Sequence, residues 1–563
     1  MSFFALTKVS NWWKQTGKQL LQQLIASNFF SGVLLVMSSW GLYFAYLWPQ
    51  MLYFDESGIQ AGWIGVWGDW AAHIIYAGVF AFRPVSMWLD PHPLHINSPF
   101  TYPFIADAIS GVLMRWGVDV VSAFVYPSLF TSLFFLLVIY GFYYFFSKKA
   151  SVAFVALSVF LLNGGVGFWW WLKDFFAEPS FEKIAYPPLE YTHLVGQPIE
   201  WISIVTSEMI PQRSFLLGFP IVVLVVLRLY SWFTRGFSKV KWQHLVGLGL
   251  LSGSLLFIHA HSFIVLFLLC AVLGLLSLKN WKQWLIYGAA TGAIALPIFF
   301  WLHAENAGGF FSLLPGWLAN PKEKNVNLIY FWWLNYGLFL PVALYGTIRH
   351  RWYKNPLVMM GWLLFIMANI VKFQPWPWDN TKIFTWAHLF LVLPVMSVLQ
   401  DLWKKHVVIK VAVIFLFFVL TFSSWLDVWR FTRVDKNSYQ MWSYYDLEIA
   451  DAFNQLAEPG DRVLTGQNHN SWVAAHTEGQ VLFGFPGWLW TYGVTDPELS
   501  NDLYTMFAGG PEAETLLRKY DVRFIVIGGP ERIDMRANET YFSQRFPLVA
   551  KNNEYNVYQT DFR

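Results

Sequence analysis

An acid and an imidazole at helical spacing are the first candidates for chemistry in this sequence. The stretch "GDWAAH" places Asp69 and His73 four residues apart, so in a helix the two side chains share one face. A carboxylate beside an imidazole can act as a general base or bind a divalent cation. The earlier stretch "YFDE" offers Asp55 and Glu56 for the same work. Both motifs are also ordinary in a water-exposed loop. If Mg²⁺ or Mn²⁺ binds, we expect it at Asp55, Glu56 and Asp69.

Three basic or imidazole side chains lie beside long apolar runs. In "HAHS", His259 and His261 are two residues apart and can donate to an anion, ligate a metal or simply form a polar turn. In "IPQRSF", Arg213 directly precedes an apolar run, where its guanidinium and the helix N-terminus can hold a phosphate. An arginine there can equally reach up to a lipid phosphate. These residues therefore predict an anion site, with structural alternatives left open.

The stretch "WPWDNTK" combines a prolyl-aromatic collar with an acid and a base. Its tryptophans, including Trp378, suit a membrane interface. Asp379 is expected to cap the following helix, with Asn380 sharing that work. Lys382 would then lie in the first helical turn, where a cation opposes the helix dipole. That mildly unfavourable placement indicates a compensating anion.

Long apolar segments must position these side chains. The chain has 563 residues, of which 56% are hydrophobic and only 13% charged, whereas about a quarter is charged in soluble proteins. Runs of about 20 apolar residues are long enough to cross a bilayer as helices. The run from 245 to 278 is too long for one helix and predicts two that meet at "HAHS". About eleven spans result: Phe29–Trp48, Ala123–Phe146, Val152–Leu172, Phe215–Phe233, two within 245–278, Trp284–His303, Leu328–Thr347, Leu357–Val371, Ile383–Leu399 and Val407–Leu426.

Basic residues set the expected orientation. Lys and Arg concentrate in the N-terminus and in alternate short loops, which predicts that these lie in the cytoplasm and that the C-terminus lies outside. Every candidate residue above then falls on the outer side. The N-terminal stretch lacks the pattern of a cleaved signal peptide.

The expected organisation is an all-α polytopic bundle followed by a small α/β domain. Residues 1–28 form a cytoplasmic or interfacial segment, 29–426 the transmembrane domain with a large first outer loop at 49–122, and 427–563 a periplasmic α/β domain. The net charge of +3 gives no indication of nucleic acid binding, and the single Cys270 excludes an intrachain disulfide.

Together the candidates describe a cationic, imidazole-bearing pocket with carboxylates near it. An anionic lipid headgroup such as a phosphate-linked sugar fits that chemistry, with a carboxylate left to deprotonate an acceptor hydroxyl. The stretch "FGFPGWLWTYG" adds Trp488, Trp490 and Tyr492, which can stack on a sugar ring, sit among lipid headgroups or pack the outer domain on the bundle.

The motifs resemble membrane glycosyltransferases of the GT-C fold. The stretches "HPLHINSPFTYPFIADAISGVLMRWG", "IPQRSFLLGFP", "HAHSF", "WDNTK" and "LLRKYDVRFIVIGGPER" are similar to a bacterial group of such proteins, and the likeness covers most of the chain. It implies a sugar donor linked to polyprenyl phosphate or diphosphate, an inverting transfer at the outer face of the inner membrane, and a first-loop carboxylate as general base. That role falls to Asp69, with Asp55 or Glu56 as alternatives. The acceptor, whether glycan, lipid or protein, stays open.

Two other classes of function remain. A transporter or flippase for lipid-linked glycans would place polar groups near mid-membrane, often in paired repeats, and the spans here are largely uncharged at mid-depth. A non-catalytic glycan-assembly protein would use the outer domain for binding alone.

Overall fold

A computed structural model describes residues 28–201, 203–303, 311–491 and 493–562 of the chain. The predicted cytoplasmic or interfacial segment 1–28 lies outside this range except for its last residue, and so does Tyr492. The domain boundaries after residues 28 and 426 stay predictions.

The first three quarters of the described chain is a bundle of helices. Its helices are α1 (Asn28–Val36), α2 (Leu42–Met51), α3 (Ile64–Phe82), α4 (Ile105–Arg115), α5 (Val120–Ser147), α6 (Ala150–Leu161), α7 (Phe168–Ala177), α8 (Phe181–Ala185), α9 (Arg213–Arg235), α10 (Trp242–Ser254), α11 (Ala260–Leu276), α12 (Trp281–Leu302), α13 (Leu328–Tyr336), α14 (Phe339–Arg349), α15 (Pro356–Ala368), α16 (Thr381–Trp403) and α17 (Val407–Arg430).

Six helical segments in the described part of the chain are long and apolar enough to cross a membrane. A seventh results if the bent pair α13 and α14 is one span, and four apolar helices are shorter. The predicted total of eleven spans is therefore not confirmed. The polytopic character is confirmed by these six long apolar helices. Helices suit a hydrocarbon environment because they satisfy their own backbone hydrogen-bonding groups.

Helix α16 lies at the centre of the bundle, and nearly all of its apolar side chains are buried. Its neighbours include α6, α11, α14, α15 and α17. Three helices begin at the same end of the bundle with polar residues of the sequence motifs: α9 at Arg213, α11 just after His259 and α16 just before Lys382. We call this end the site end. The expected break at "HAHS" is present between α10 and α11.

The predicted first outer loop contains a β-hairpin and two helices. Strands β1 (Leu52–Asp55) and β2 (Gly58–Ala61) pair antiparallel, and α3 and α4 follow. The other strands are β3 (Ser312–Leu313), β4 (Val371–Lys372), β5 (Tyr439–Ser443), β6 (Arg462–Leu464), β7 (Gln480–Val481), β8 (Val522–Ile527), β9 (Leu548–Lys551) and β10 (Asn556–Gln559). Strand β5 pairs with β2, which ties the C-terminal part of the chain to the segment that precedes α3.

The C-terminal part is an α/β unit, as predicted. Its sheet has the order β7-β6-β8-β10-β9, with β6 parallel to β7 and β8 and the last two strands antiparallel. The predicted strands at "RVLTG" and "VRFIVIGG" and the terminal hairpin are all present. Around them lie α18 (Tyr444–Asn454), α19 (Trp472–His476), α20 (Pro486–Thr491), α21 (Pro497–Ala508), α22 (Pro511–Lys519), α23 (Gly529–Ile533) and α24 (Glu539–Arg545).

Candidate functional site

A cavity of about 1220 Å³ opens at the site end of the bundle. Its walls come from α3, α9, α11, α12 and α16, from the connection that precedes α9, and from α20 of the C-terminal part. Among the described residues, its acidic, basic and imidazole lining side chains are Asp69, His73, Glu190, His193, His259, His261, His303, Asp379 and Lys382. Side chains up to some three hundred positions apart in the sequence therefore meet in one space.

Lys382 lines this cavity and is held by its near neighbour in sequence. Its Nζ lies 2.7 Å from Asp379 Oδ1. The expected capping role of Asp379 is wrong, because α16 begins without a side-chain cap. Asn380 folds the preceding loop instead: its Oδ1 accepts from the Phe373 N–H, and its amide donates to two backbone carbonyls. Asp379 is thereby free to face the ammonium.

Asp69 lies in the first half of α3, with its side chain open to the cavity. Although the carboxyl has accessible surface there, protein surrounds it on most sides. The resulting desolvation raises the pKa of Asp69, and the nearby charges of His73 and Lys382 partly offset that rise. A carboxylate with a raised pKa is a stronger base than an ordinary aspartate, as a general base requires.

His73 and Arg213 share a buried partner that sequence reasoning missed. Asp107, in α4, is fully buried and lies 3.0 Å from His73 Nδ1 and 3.0 Å from Arg213 Nη1. Arg213 Nη2 also donates to Ser110 Oγ, and the guanidinium lies over the Phe124 ring. His73 reaches the cavity, whereas Arg213 is not among the residues that line it. The partner of His73 is therefore Asp107 rather than Asp69, and Arg213 braces α9 against α4.

Asp107→Asn is expected to destabilise the fold by about 3–5 kcal/mol, since it leaves the buried Arg213 guanidinium without its charge partner. The thermal unfolding midpoint of the purified protein measures this. The matched control Asp534→Asn changes an exposed aspartate and should leave the midpoint unchanged. Equal midpoints for the two variants would contradict the bracing role.

Two imidazoles at the start of α11 present unpaired nitrogens. The Nε2 atoms of His259 and His261 are buried and have no hydrogen-bond partner among the described residues. Both residues line the cavity, with their ring centroids 5.6 Å apart. His259 Nδ1 lies 2.7 Å from Ser262 Oγ, which also accepts from Trp386 Nε1. A buried polar atom without a partner is costly, so these two nitrogens indicate a polar ligand.

Asp55 and Glu56 lie at the turn of the β1–β2 hairpin, exposed and outside the cavity lining. Asp55 accepts from the backbone and hydroxyl of Ser57, and the latter bond in particular lowers the pKa of Asp55. Within the described ranges, no group of three or more His, Cys, Asp or Glu side chains is arranged to hold a metal ion. The expected Mg²⁺ or Mn²⁺ site at Asp55, Glu56 and Asp69 is therefore not assembled in this structure.

Further cavity groups come from a connection without motifs. Glu190 and His193 precede α9, and His193 packs edge-on against Trp378 at a centroid distance of 4.8 Å. Burial, with the nearby Asp427 charge, raises the pKa of Glu190 to about 8, so its carboxyl is largely neutral at pH 7. Glu208 lies behind the lining, and burial raises its pKa to about 7.

The C-terminal part supplies one wall of the cavity through α20. Trp488 lines the cavity, while Trp490 is partly exposed and packs near Trp376. His469 lies between Trp67 and Trp488, at centroid distances of 4.4 and 4.5 Å, and its Nε2 is 3.1 Å from the Gly68 carbonyl oxygen. The residue before Asp69 is thus fastened to the C-terminal part.

His469→Ala is expected to loosen the start of α3, because it removes both the ring between the two indoles and the hydrogen bond to Gly68. Hydrogen exchange followed by mass spectrometry should show faster exchange in peptides covering residues 63–70. His244→Ala removes an exposed histidine of α10 and serves as the control. Unchanged exchange in the His469 variant would show that this contact does not hold the segment.

Comparison with protein-family models gives no match, and comparison with curated proteins gives none either. Among solved structures, the chain is similar to ArnT from Cupriavidus metallidurans in the apo state, with a TM-score of 0.48, 11% identity, and coverage of 93% of this chain and 97% of that one. For ArnT bound to undecaprenyl phosphate the TM-score is 0.43, with 11% identity and coverage of 94% and 98%. The Archaeoglobus fulgidus oligosaccharyltransferase AglB, in complex with an inhibitory peptide and a dolichol-phosphate, gives 0.45, 10% identity and coverage of 88% and 70%. These values are too low to assign an activity to this chain.

Proposed function

We propose that this protein is a membrane glycosyltransferase that moves a sugar from a polyprenyl phosphate or diphosphate to an acceptor hydroxyl. The observation that carries the proposal is the shared cavity of Lys382, two imidazoles with unpaired nitrogens, and the carboxylate of Asp69. An ammonium and hydrogen-bond donors suit a phosphate, and a carboxylate of raised pKa suits deprotonation of an alcohol.

In the proposed reaction, the oxygen of the acceptor hydroxyl attacks the anomeric carbon of the sugar while Asp69 takes the proton of that hydroxyl. The bond from that carbon to the phosphate oxygen breaks, and its electron pair leaves with the lipid phosphate. Attack opposite the leaving group inverts the anomeric centre. Lys382, His259 and His261 stabilise the negative charge that grows on the departing oxygen, which is where electrostatic catalysis acts. Asp379 keeps the ammonium in place.

An apolar groove next to the cavity suits the isoprenoid chain of such a donor. It has a volume of about 390 Å³ and runs between α11 and α12. Phe263, Phe267 and Phe299 line both the groove and the cavity, so the two spaces adjoin. Its walls are almost wholly apolar side chains and glycines. A lipid whose headgroup lies at Lys382 would therefore have an apolar path for its tail.

We place the site at the outer face of a bacterial inner membrane, with the N-terminus inside and the C-terminal part outside. Support comes from the basic turn that follows α9 at residues 234–241. Helix α9 has 23 residues, so this turn lies roughly 34 Å from the site end. Basic loops favour the cytoplasmic side, which puts the cavity on the other side.

The position of the ionisable groups favours a transferase over a flippase. His261 and Lys382 lie in the first turns of α11 and α16, and the cavity wall includes the C-terminal part. These groups therefore lie toward the helix ends, whereas transporters bind near mid-membrane. The polar lining also argues against a non-catalytic assembly protein that binds through the outer domain alone, because unpaired buried nitrogens in the cavity cost stability when nothing binds them.

The test is sugar transfer by the purified protein in nanodiscs. Undecaprenyl-phosphate-linked and undecaprenyl-diphosphate-linked sugars with a tritium label in the sugar are supplied with glycan, lipid and peptide acceptors. We expect labelled product and free lipid phosphate in at least one pairing. Headgroup translocation in vesicles without any broken glycosidic bond would instead support the flippase. Donor that is bound but never consumed would support the assembly protein.

A further inference from the structure

We infer that the donor of the proposed reaction carries one phosphate between sugar and lipid, as a phosphodiester, and not a diphosphate. The inference rests on the proposed function. It follows from the number and pairing of the charges in the cavity wall. A phosphodiester carries a single negative charge at neutral pH, while a diphosphate bridging sugar and lipid carries two.

In the described part of the chain, the cavity wall offers one fixed cation. Among the described residues that line it, Lys382 is the only lysine or arginine, against the three carboxyl groups of Asp69, Glu190 and Asp379. Lys382 Nζ is 2.7 Å from Asp379 Oδ1, so the Asp379 carboxylate already neutralises part of the ammonium charge. A single phosphate charge can share this ammonium, whereas a second phosphate charge finds no further lysine or arginine among the described lining residues and lies in the same cavity as the carboxyl groups of Asp69 and Asp379.

The arginine that sequence reasoning placed at the phosphate is committed elsewhere. Arg213 makes a 3.0 Å ion pair with Asp107, donates to Ser110 and lies outside the cavity lining. Both partners of this pair are buried. Moving the guanidinium to a ligand would leave the buried Asp107 carboxylate with His73 as its remaining partner and without its arginine, and breaking a buried ion pair costs several times what a surface ion pair gains. Arg213 therefore adds no charge for a second phosphate.

The remaining donors at the site are suited to hydrogen bonding. Ser262 Oγ accepts from Trp386 Nε1, so its own proton can go to His259 Nδ1, which leaves the proton of that ring on Nε2. His259 Nε2 then donates one hydrogen bond to the ligand, as a neutral imidazole. With His261 Nε2 beside it, the site provides one ammonium, one imidazole donor and a second imidazole nitrogen without a hydrogen-bond partner among the described residues. That set matches the two unbridged oxygens of a phosphodiester.

A matched pair of short-chain lipids without sugar tests the inference. Farnesyl methyl phosphate carries one charge and P¹-farnesyl-P²-methyl diphosphate carries two, and both are titrated into the full-length protein in nanodiscs. Binding is followed by tryptophan fluorescence, since Trp376, Trp378 and Trp488 line the cavity. Each titration is run with EDTA, with MgCl₂ and with MnCl₂, and farnesol measures the contribution of the chain alone.

We expect the phosphodiester to bind at least tenfold more tightly than the diphosphate, with no gain from either metal. A diphosphate that binds more tightly, with or without a divalent cation, would overturn the inference and leave the proposed function standing. Binding of neither lipid above farnesol would count against the proposed function itself. Asp379→Asn should narrow the ratio between the two lipids, because it removes one negative charge beside Lys382. An unchanged ratio in that variant would refute the charge balance as the cause.

Discussion

Lys382→Ala is expected to weaken binding of farnesyl methyl phosphate by about 10- to 100-fold. A hydrogen bond to a charged group contributes about 1.5–3 kcal/mol, and the truncation also leaves Asp379 facing the ligand without its partner. The donor phosphate already carries its charge when it binds, and Lys382 contributes to the maximal rate only through the further charge that grows on the departing oxygen. The donor concentration needed for half-maximal transfer should therefore rise more than the maximal rate falls. Fluorescence titration in nanodiscs measures the first effect, and transfer assays at saturating donor measure the second.

The control for this prediction is Lys372→Ala. Lys372 belongs to β4, ten residues earlier in the same loop region, and its Nζ donates to the Pro375 carbonyl without lining the cavity. Its removal tests whether any lost lysine near the site weakens binding. Lys382→Arg should keep most of the affinity, because the charge remains although its geometry changes. If the two alanine variants bound the lipid equally well, the phosphate role of Lys382 would have to be abandoned.

Local sequence patterns predicted the parts of the site whose partners are near in the chain. "WPWDNTK" alone places Asp379 and Lys382 within three residues, and the structure pairs them. "HAHS" predicted both the helix break and the two imidazoles that line the cavity. The apolar runs likewise predicted the helices, because the length and spacing of apolar residues can be read directly from the sequence. What failed locally was the cap assigned to Asp379, since α16 begins without a side-chain cap and Asn380 bonds to the loop that precedes the helix.

Long-range pairing is what the sequence could not provide. Asp107 lies 34 residues from His73 and 106 from Arg213, and no spacing rule links them. Arg213 was predicted to bind phosphate because nothing in the sequence marks Asp107, in the amphipathic helix α4, as its partner. The packing of α4 against α9 pairs Arg213 with Asp107 inside the protein, so the Arg213 charge is not available to a ligand. Glu190 and His193 were missed for the same reason, since they belong to an irregular connection.

The folded positions of three carboxyl groups, those of Asp55, Glu56 and Asp69, bear on the choice of general base. Asp55 and Glu56 form the adjacent acidic pair in the sequence, whereas Asp69 is a single carboxyl. The structure puts the pair on an exposed hairpin turn, with Asp55 tied to Ser57, and puts Asp69 in the cavity within the field of Lys382. Proximity to the phosphate site therefore favours Asp69 in the proposed reaction.

Asp69→Asn is expected to lower the maximal rate of sugar transfer by about 10²- to 10⁴-fold, the range for loss of a general base. Binding of farnesyl methyl phosphate should stay within about twofold, because the amide keeps the shape of the side chain and removes a negative charge. Asp55→Asn and Glu56→Gln are the matched controls and should leave transfer unchanged. Burial raises the pKa of Asp69, so as the pH falls its carboxylate is protonated earlier than that of an ordinary aspartate. Transfer by the unaltered protein should therefore begin to decline at a higher pH than it would with an ordinary aspartate as the base. Full transfer by Asp69→Asn, or its loss in either control, would assign the proton abstraction to another group.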